Sequence, residues 1–199
     1  MTKEDTYHHK NLKEELIEAG ITLVAKEGLE GFSLRKVAAV CGVSHAAPYS
    51  HFENKDVLLE EMQNYITNSF SEELEKAIAK CEKQENVLME LGFAYLQFFV
   101  MHPNYFVFLF GKYNIALDLT ENADSEKNYK PFEIFKSVVF QILSQKNYPK
   151  EKWNDAIIAL WAFVHGITSL ATMENITYDK KWETKLADFM QIFGCEFLK

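Results

Sequence analysis

SLRKVAAVCGVSHAAPYSHF, residues 33–52, is the stretch from which the rest of this 199-residue chain can be placed. Apolar or small residues at Leu34, Val37, Ala38 and Cys41 keep to one helical face until Gly42 interrupts the pattern. Ser33 stands where a cap for the first helix belongs, Phe32 and Val37 have the spacing of a hydrophobic staple, and Ser44 is placed to cap a second helix. Ala38 lies four residues before Gly42. Its single methyl leaves room for the second helix to cross, and glycine supplies a left-handed turn. The expected local structure is a helix-turn-helix.

Neighbouring segments extend the same reading. From Lys10 to Lys26 the residues Leu12, Leu16, Gly20, Leu23 and Val24 recur at helical spacing, and Gly28 and Gly31 end the run. Asn54 is placed to cap a helix with Leu58, Met62, Tyr65, Ile66 and Phe70 on its apolar face. The whole of 33–58, with Gly42-Val43-Ser44, Tyr49-Ser50-His51-Phe52, Lys55 and Leu58 in order, resembles the DNA-binding head of the tetracycline-repressor (TetR-like) family. One departure is Pro48, where a leucine is more usual, and whose ring removes a backbone donor near the start of the second helix.

Composition sets the outer limits. With 48% hydrophobic residues the chain can bury a substantial core, and only 8 Gly and 4 Pro favour long helices, so the expected fold class is all-α. No run approaches the roughly 20 apolar residues of a membrane helix and the N-terminus is too polar for a secretory signal, so no membrane partner and a cytoplasmic location are expected. Cys41, Cys81 and Cys195 have no paired spacing, which argues against a zinc site or disulfide framework. No cofactor or metal is expected. The net charge of −8 is unusual for a DNA binder, yet Ser33 to Lys55 carries Arg35, Lys36 and Lys55 against Glu53 alone. A locally positive surface on an acidic chain implies modest non-specific affinity and strong dependence on a specific sequence.

The resemblance implies a head at residues 10–70 and a helical ligand-binding and dimerisation domain at 71–199. In the second helix of the motif, Ser44, His45, Ala46, Ala47 and Tyr49 would face the major groove. His45 can hydrogen-bond a base edge, whereas Ala46 and Ala47 offer only methyl contact. Tyr49, His51 and Lys55 are carried over as phosphate contacts, with Ser33 and Lys36 as additions. Residues 1–9, with His8 and His9, read as a frayed terminus or an arm.

Beyond residue 71 a helix from Asn86 ends at His102-Pro103, an apolar segment NYFVFLFG follows, residues 112–130 read as a flexible loop, and Pro131 opens another helix. A helix over about 150–173 contains Trp161, His165 and Gly166, which resemble a tryptophan, histidine, glycine signature of one branch of TetR-like ligand-binding domains. Its Ala159, Ala162, Gly166 and Ser169 form a small-residue ridge. Together with a last helix from Lys181 to Leu198 it would build the family's four-helix homodimer interface. The aromatic residues of 86–143 either fill a core or line a cavity, and only the resemblance favours the cavity. Its apolar walls would be Phe98, Phe106, Phe110, Phe135 and Trp161, with Tyr95, His102 and His165 as polar handles for an apolar or aromatic effector. His165 also reads as a buried histidine satisfied by a neighbour.

No phosphate-binding glycine loop, HExxH pair or nucleophile elbow is present, so no enzyme is expected. The resemblance implies a homodimeric regulator of a palindromic DNA operator, released by its effector. The alternative is a helical protein-interaction module without DNA binding, kept open by Pro48 and the acidic surroundings.

Overall fold

The computed structural model describes residues 3–113 and 115–192, the side chains of 3–11 and of Gln84 excepted. The side chains of His8 and His9, Cys195, and the Phe193 and Phe197 end of the last expected helix lie outside the described residues. The chain is all-helical there: α1 (Lys3–Glu27), α2 (Leu34–Val40), α3 (Lys55–Lys80), α4 (Val87–Met101), α5 (Pro103–Phe106), α6 (Lys130–Gln145), α7 (Trp153–Thr172) and α8 (Trp182–Ile192). α1 starts earlier than the Lys10 expected from periodicity.

Two compact units form. The first holds the described residues up to Asn68 together with Asn104–Ile115, and the second holds Ser69–Pro103 and the described residues from Ala116 on. The expected division at residue 70 thus differs in one segment, 104–115, which folds with the head. Periodicity identifies a helical face but not the element it meets.

In the first unit α1 buries Leu16, Ile17, Ile21 and Val24 against Leu34, Val37 and Ala38 of α2 and Leu58, Met62 and Ile66 of α3. Gly20 lets α1 and α3 approach closely, since a Cβ there would lie 2.8 Å from Met62 Sδ. Segment 104–115 adds Tyr105, Phe106, Phe108 and Leu109 to this core, the last two within a π-helical stretch, Val107–Tyr113. Tyr105 donates its hydroxyl to Glu18 Oε1, and the Tyr65 ring packs edge-on to Tyr105 at 6.4 Å. Burial and this carboxylate acceptor both push the Tyr105 phenol up, so it stays protonated.

Local signals in the motif act as the sequence indicates. Ser33 Oγ accepts from Lys36 N at 3.3 Å, and Phe32 and Val37 are both buried. Gly42 takes φ +68°, the left-handed turn. Asn54 Oδ1 accepts from the backbone of Asp56 and Val57 at 2.9 and 3.1 Å, capping α3. The second helix of the motif differs. Ser44 caps no α-helix; the segment is a single 3-10 turn, Ala47–Ser50. Pro48 has no N–H to close an α-type bond to Ser44, so Ala47 N bonds Ser44 O at 3.0 Å and Tyr49 N bonds Ala46 O at 3.1 Å instead.

The second unit packs α4 against α6, α7 and α8. Residues 112–130, expected as a flexible loop, are pinned near their end. Asn128 Nδ2 donates to Asp118 O at 2.8 Å and Glu133 Oε1 at 2.7 Å, while its Oδ1 accepts from Asp118 N at 2.9 Å. Lys150–Thr172 is long and apolar enough to cross a membrane by length and composition alone, which corrects the expectation that no run is. Its Ile157, Leu160, Trp161 and Val164 are instead buried in this unit.

Gly42→Ala is expected to cost about 1–2 kcal/mol, because a Cβ in the left-handed region meets the following carbonyl. Urea unfolding followed by circular dichroism measures it, and an unchanged midpoint refutes the role given to the turn.

Candidate nucleic-acid interface and apolar cavity

The turn after Gly42 presents a small exposed edge. Ser44, His45, Ala46 and Tyr49 are exposed, Ala47 is half-buried, and Pro48 is buried and anchors the turn from beneath. Tyr49 keeps 54% of its surface in solvent. Two hydrogen-bonding side chains, His45 and Tyr49, therefore flank a pair of methyl groups, a surface that can meet base edges.

The charged residues expected at phosphates have other partners. Lys55 Nζ donates to Leu29 O at 2.8 Å and lies 5.8 Å from the centre of the Phe32 ring, so it braces the loop before α2. Lys36 pairs with Glu27 at 2.9 Å, both about half exposed, and Ser33 is the α2 cap. Surface pairs of this kind contribute about 0–1 kcal/mol, so Lys36 is exchangeable to another anion. His51 is half-buried with its ring 6.1 Å from Phe52. Arg35, absent from the expected set, is exposed on α2 and makes no ion pair among the described residues. Its signal was available, as it is the sole arginine in the 199 residues.

In the second unit three of the expected effector residues, Tyr95, Phe135 and Trp161, line one cavity with Leu88, Leu91, Gly92, Leu186 and Met190. Its volume is about 20 Å³, room for one water. Trp161 is its centre of packing, with rings of Tyr95, Phe132 and Phe135 at 5.1, 5.2 and 5.4 Å. Tyr95 Oη lies 2.9 Å from His165 Nδ1, so the buried-histidine reading of His165 and its polar-handle reading meet in one bond. Burial raises the Tyr95 phenol well above its usual value and lowers the His165 imidazole. Both are neutral near pH 7, and with Tyr95 as donor the imidazole proton sits on Nε2.

The other expected effector residues lie elsewhere. Phe98 stacks on Phe70 at 5.0 Å, outside the cavity lining. His102 is exposed, because the backbone leaves α4 there. Phe106 and Phe110 pack on each other at 5.0 Å in the first unit. Gly166 is exposed with open space about its Cα, on the same face of α7 as Ala159 and Ala162. Among the described residues no group of His, Cys, Asp and Glu could hold a metal ion.

A capped α2 and a turn with an exposed polar edge are joined in one chain to a helical unit with an apolar cavity. Two family models place the chain. Residues 16–62 match "Bacterial regulatory proteins, tetR family" and residues 88–189 match "Tetracyclin repressor-like, C-terminal domain". The chain belongs to the TetR family. It is 31% identical over 117 residues to the uncharacterized HTH-type transcriptional regulator YerO of Bacillus subtilis, which covers 57% of this chain and 37% of YerO. The chain thus spans about a third of the length of the curated relatives it matches. The fold is shared with a putative transcriptional regulator of Pseudomonas aeruginosa PAO1 (TM-score 0.73, 18% identity, 95% of this chain and 91% of that one). It is shared too with the fatty acid degradation regulator FadR of Bacillus halodurans (TM-score 0.71, 13% identity, 94% of each chain).

His165 makes stability pH-dependent. Its folded value lies below the ordinary 6.5, so the unfolded chain takes up the proton first and stability falls as pH drops below that value. In urea titrations at about pH 7.5 and pH 5.5, His165→Gln is expected to lose less stability on acidification than the unaltered protein. An equal loss in both would mean His165 contributes nothing to it.

Proposed function

We propose that the chain is a sequence-specific DNA-binding transcriptional regulator in the cytoplasm, acting as a homodimeric repressor that an apolar small molecule releases from its operator. The observation that carries this reading is the exposed edge formed by Ser44, His45, Ala46 and Tyr49, held on the buried Pro48 by a 3-10 turn. His45 and Tyr49 read or position against the major groove, and Arg35 and Lys36 supply phosphate contacts from α2. Lys55 acts indirectly by holding the loop before α2. On a chain of net charge −8, so few cations give weak affinity for bulk DNA.

The exposed face of α7 supports the dimer. Ala159, Ala162 and Gly166 are small and exposed, and Leu170 and Met173 continue the stripe with 42% and 48% of their surface in solvent. A second copy packing there through α7 and α8 covers apolar surface that a monomer leaves wet. Two heads then meet half-sites about one helical turn of DNA apart.

Release follows from chain continuity. Leu88, Leu91, Gly92 and Tyr95 of α4 wall the cavity, and α4 ends at Met101, three residues before the segment that folds with the head. An effector that binds one placement of α4 better than another shifts the population of head placements. The short 3-10 turn favours a second reading, an interaction module whose head no longer reads DNA.

Selection from a random DNA pool, followed by titration of the recovered fragment at two salt concentrations, separates the two. A palindromic site bound far tighter than bulk DNA supports the regulator, and no enrichment by a folded dimer supports the interaction module. On the recovered site Arg35→Ala is expected to weaken all sequences alike and flatten the salt slope by about 1. His45→Ala should cost about 1–3 kcal/mol, confined to one base position in each half-site.

A further inference from the structure

We infer that the head reads the C5-methyl group of a thymine in each half-site, taken up against the Ala46 methyl and the Tyr49 ring. This rests on the reading of the first unit as a DNA-binding head and names the base feature that the edge takes. Residues 37–52, VAAVCGVSHAAPYSHF, contain no Arg, Lys, Asn, Gln, Asp or Glu. Those are the side chains that bond guanine or adenine in pairs, or accept from cytosine, in the major groove. In their place the exposed edge offers the Ser44 hydroxyl, the His45 imidazole, the Ala46 methyl and Tyr49, which keeps 54% of its surface in solvent. Among the base edges in that groove only thymine carries an apolar group, its C5-methyl. It is the one feature that Ala46 can cover without leaving a polar group of the base unpaired.

Pro48 decides which residue stands beside Tyr49. In an α-helix the residues three and four back, Ala46 and His45, would both be neighbours of Tyr49. In a 3-10 turn side chains three apart eclipse, so Ala46 stands in line with Tyr49 and His45 does not. The turn is closed by Tyr49 N bonding Ala46 O at 3.1 Å, and Ala46 itself has φ −85° and ψ −22°. Ala46 and Tyr49 are both exposed while Pro48 is buried, which sets their shared edge outward. Ala47, the other methyl of the turn, is half-buried. An apolar pair on one outward edge thus replaces the polar pair, His45 and Tyr49, that a full second helix would also present.

The test uses the fragment recovered by selection from the random pool, resynthesised with deoxyuridine in place of each thymine in turn. Uracil keeps every hydrogen-bonding group of thymine and lacks only the C5-methyl, so the exchange isolates the apolar contact. At one thymine in each half-site it is expected to weaken binding by the purified full chain about fourfold, and about fifteenfold when both half-sites carry it. Ala46→Gly and Tyr49→Ala, both at exposed positions and with folds checked by circular dichroism, are each expected to weaken binding to the thymine fragment. In each of them deoxyuridine at that same thymine is expected to have no further effect, whereas Tyr49→Phe, which keeps the ring, retains the loss. Unchanged affinity at every deoxyuridine position overturns the inference and leaves the DNA-binding head standing. A deoxyuridine effect that survives in both folded variants, or that they remove at different thymines, overturns the assignment to Ala46 and Tyr49. No enrichment of any fragment by a folded dimer overturns the DNA-binding reading and the inference with it.

Discussion

The hydrogen bond between Tyr95 and His165 is the constraint around which the second unit is arranged. It joins α4 to α7 in the middle of an aromatic cluster, and it satisfies two polar groups that burial would otherwise penalise by about 1–3 kcal/mol. With that bond in place Trp161 can be enclosed by the rings of Tyr95, Phe132 and Phe135. The result is a packed interior whose side under α8 is closed by Leu186 and Met190, the buried residues of that helix among those described.

The head solves a different problem, which is to hold a reading surface on very little secondary structure. Pro48 denies the motif a full second helix, and the turn is stabilised from below instead, by the buried proline ring and by Phe52 N and His51 N both bonding Pro48 O. The cations nearby are largely committed to the same end. Lys55 secures the loop between α1 and α2, while Lys36 is held only by an exchangeable surface pair with Glu27, so positive charge that a count assigns to DNA is partly internal. Of the three cations in residues 33–55, Arg35 is the one with neither a brace nor an ion pair among the described residues.

Features set by neighbouring residues were legible in the sequence. The caps at Ser33 and Asn54, the left-handed Gly42, and the helix boundaries at Pro103 and Pro131 depend on a few adjacent side chains and backbone groups, and each lies where its signal stands. What depends on distant partners was not legible. Nothing in NYFVFLFG states that its aromatic residues meet α1 and α3 and not the other ring-bearing helices, so Phe106 and Phe110 were grouped with the wrong set of rings. The same holds for Lys55, whose partner Leu29 is 26 residues away. Arg35 lay outside the expected set for another reason: a motif lends roles to matching positions, whereas its uniqueness is a property of the whole chain.

The interleaving of the two units bears on how the protein is made. The first unit takes residues from both sides of α4, so the chain passes between units three times. While only the first seventy residues have left the ribosome, Glu18 lacks Tyr105, and the places of Phe106, Phe108 and Leu109 in the core stand empty. The head therefore completes its interior only after α4 and the segment up to Ile115 have emerged. Its order of folding is not the order of its sequence, and a fragment cut at the apparent end of the motif is an unfinished core and not a smaller protein.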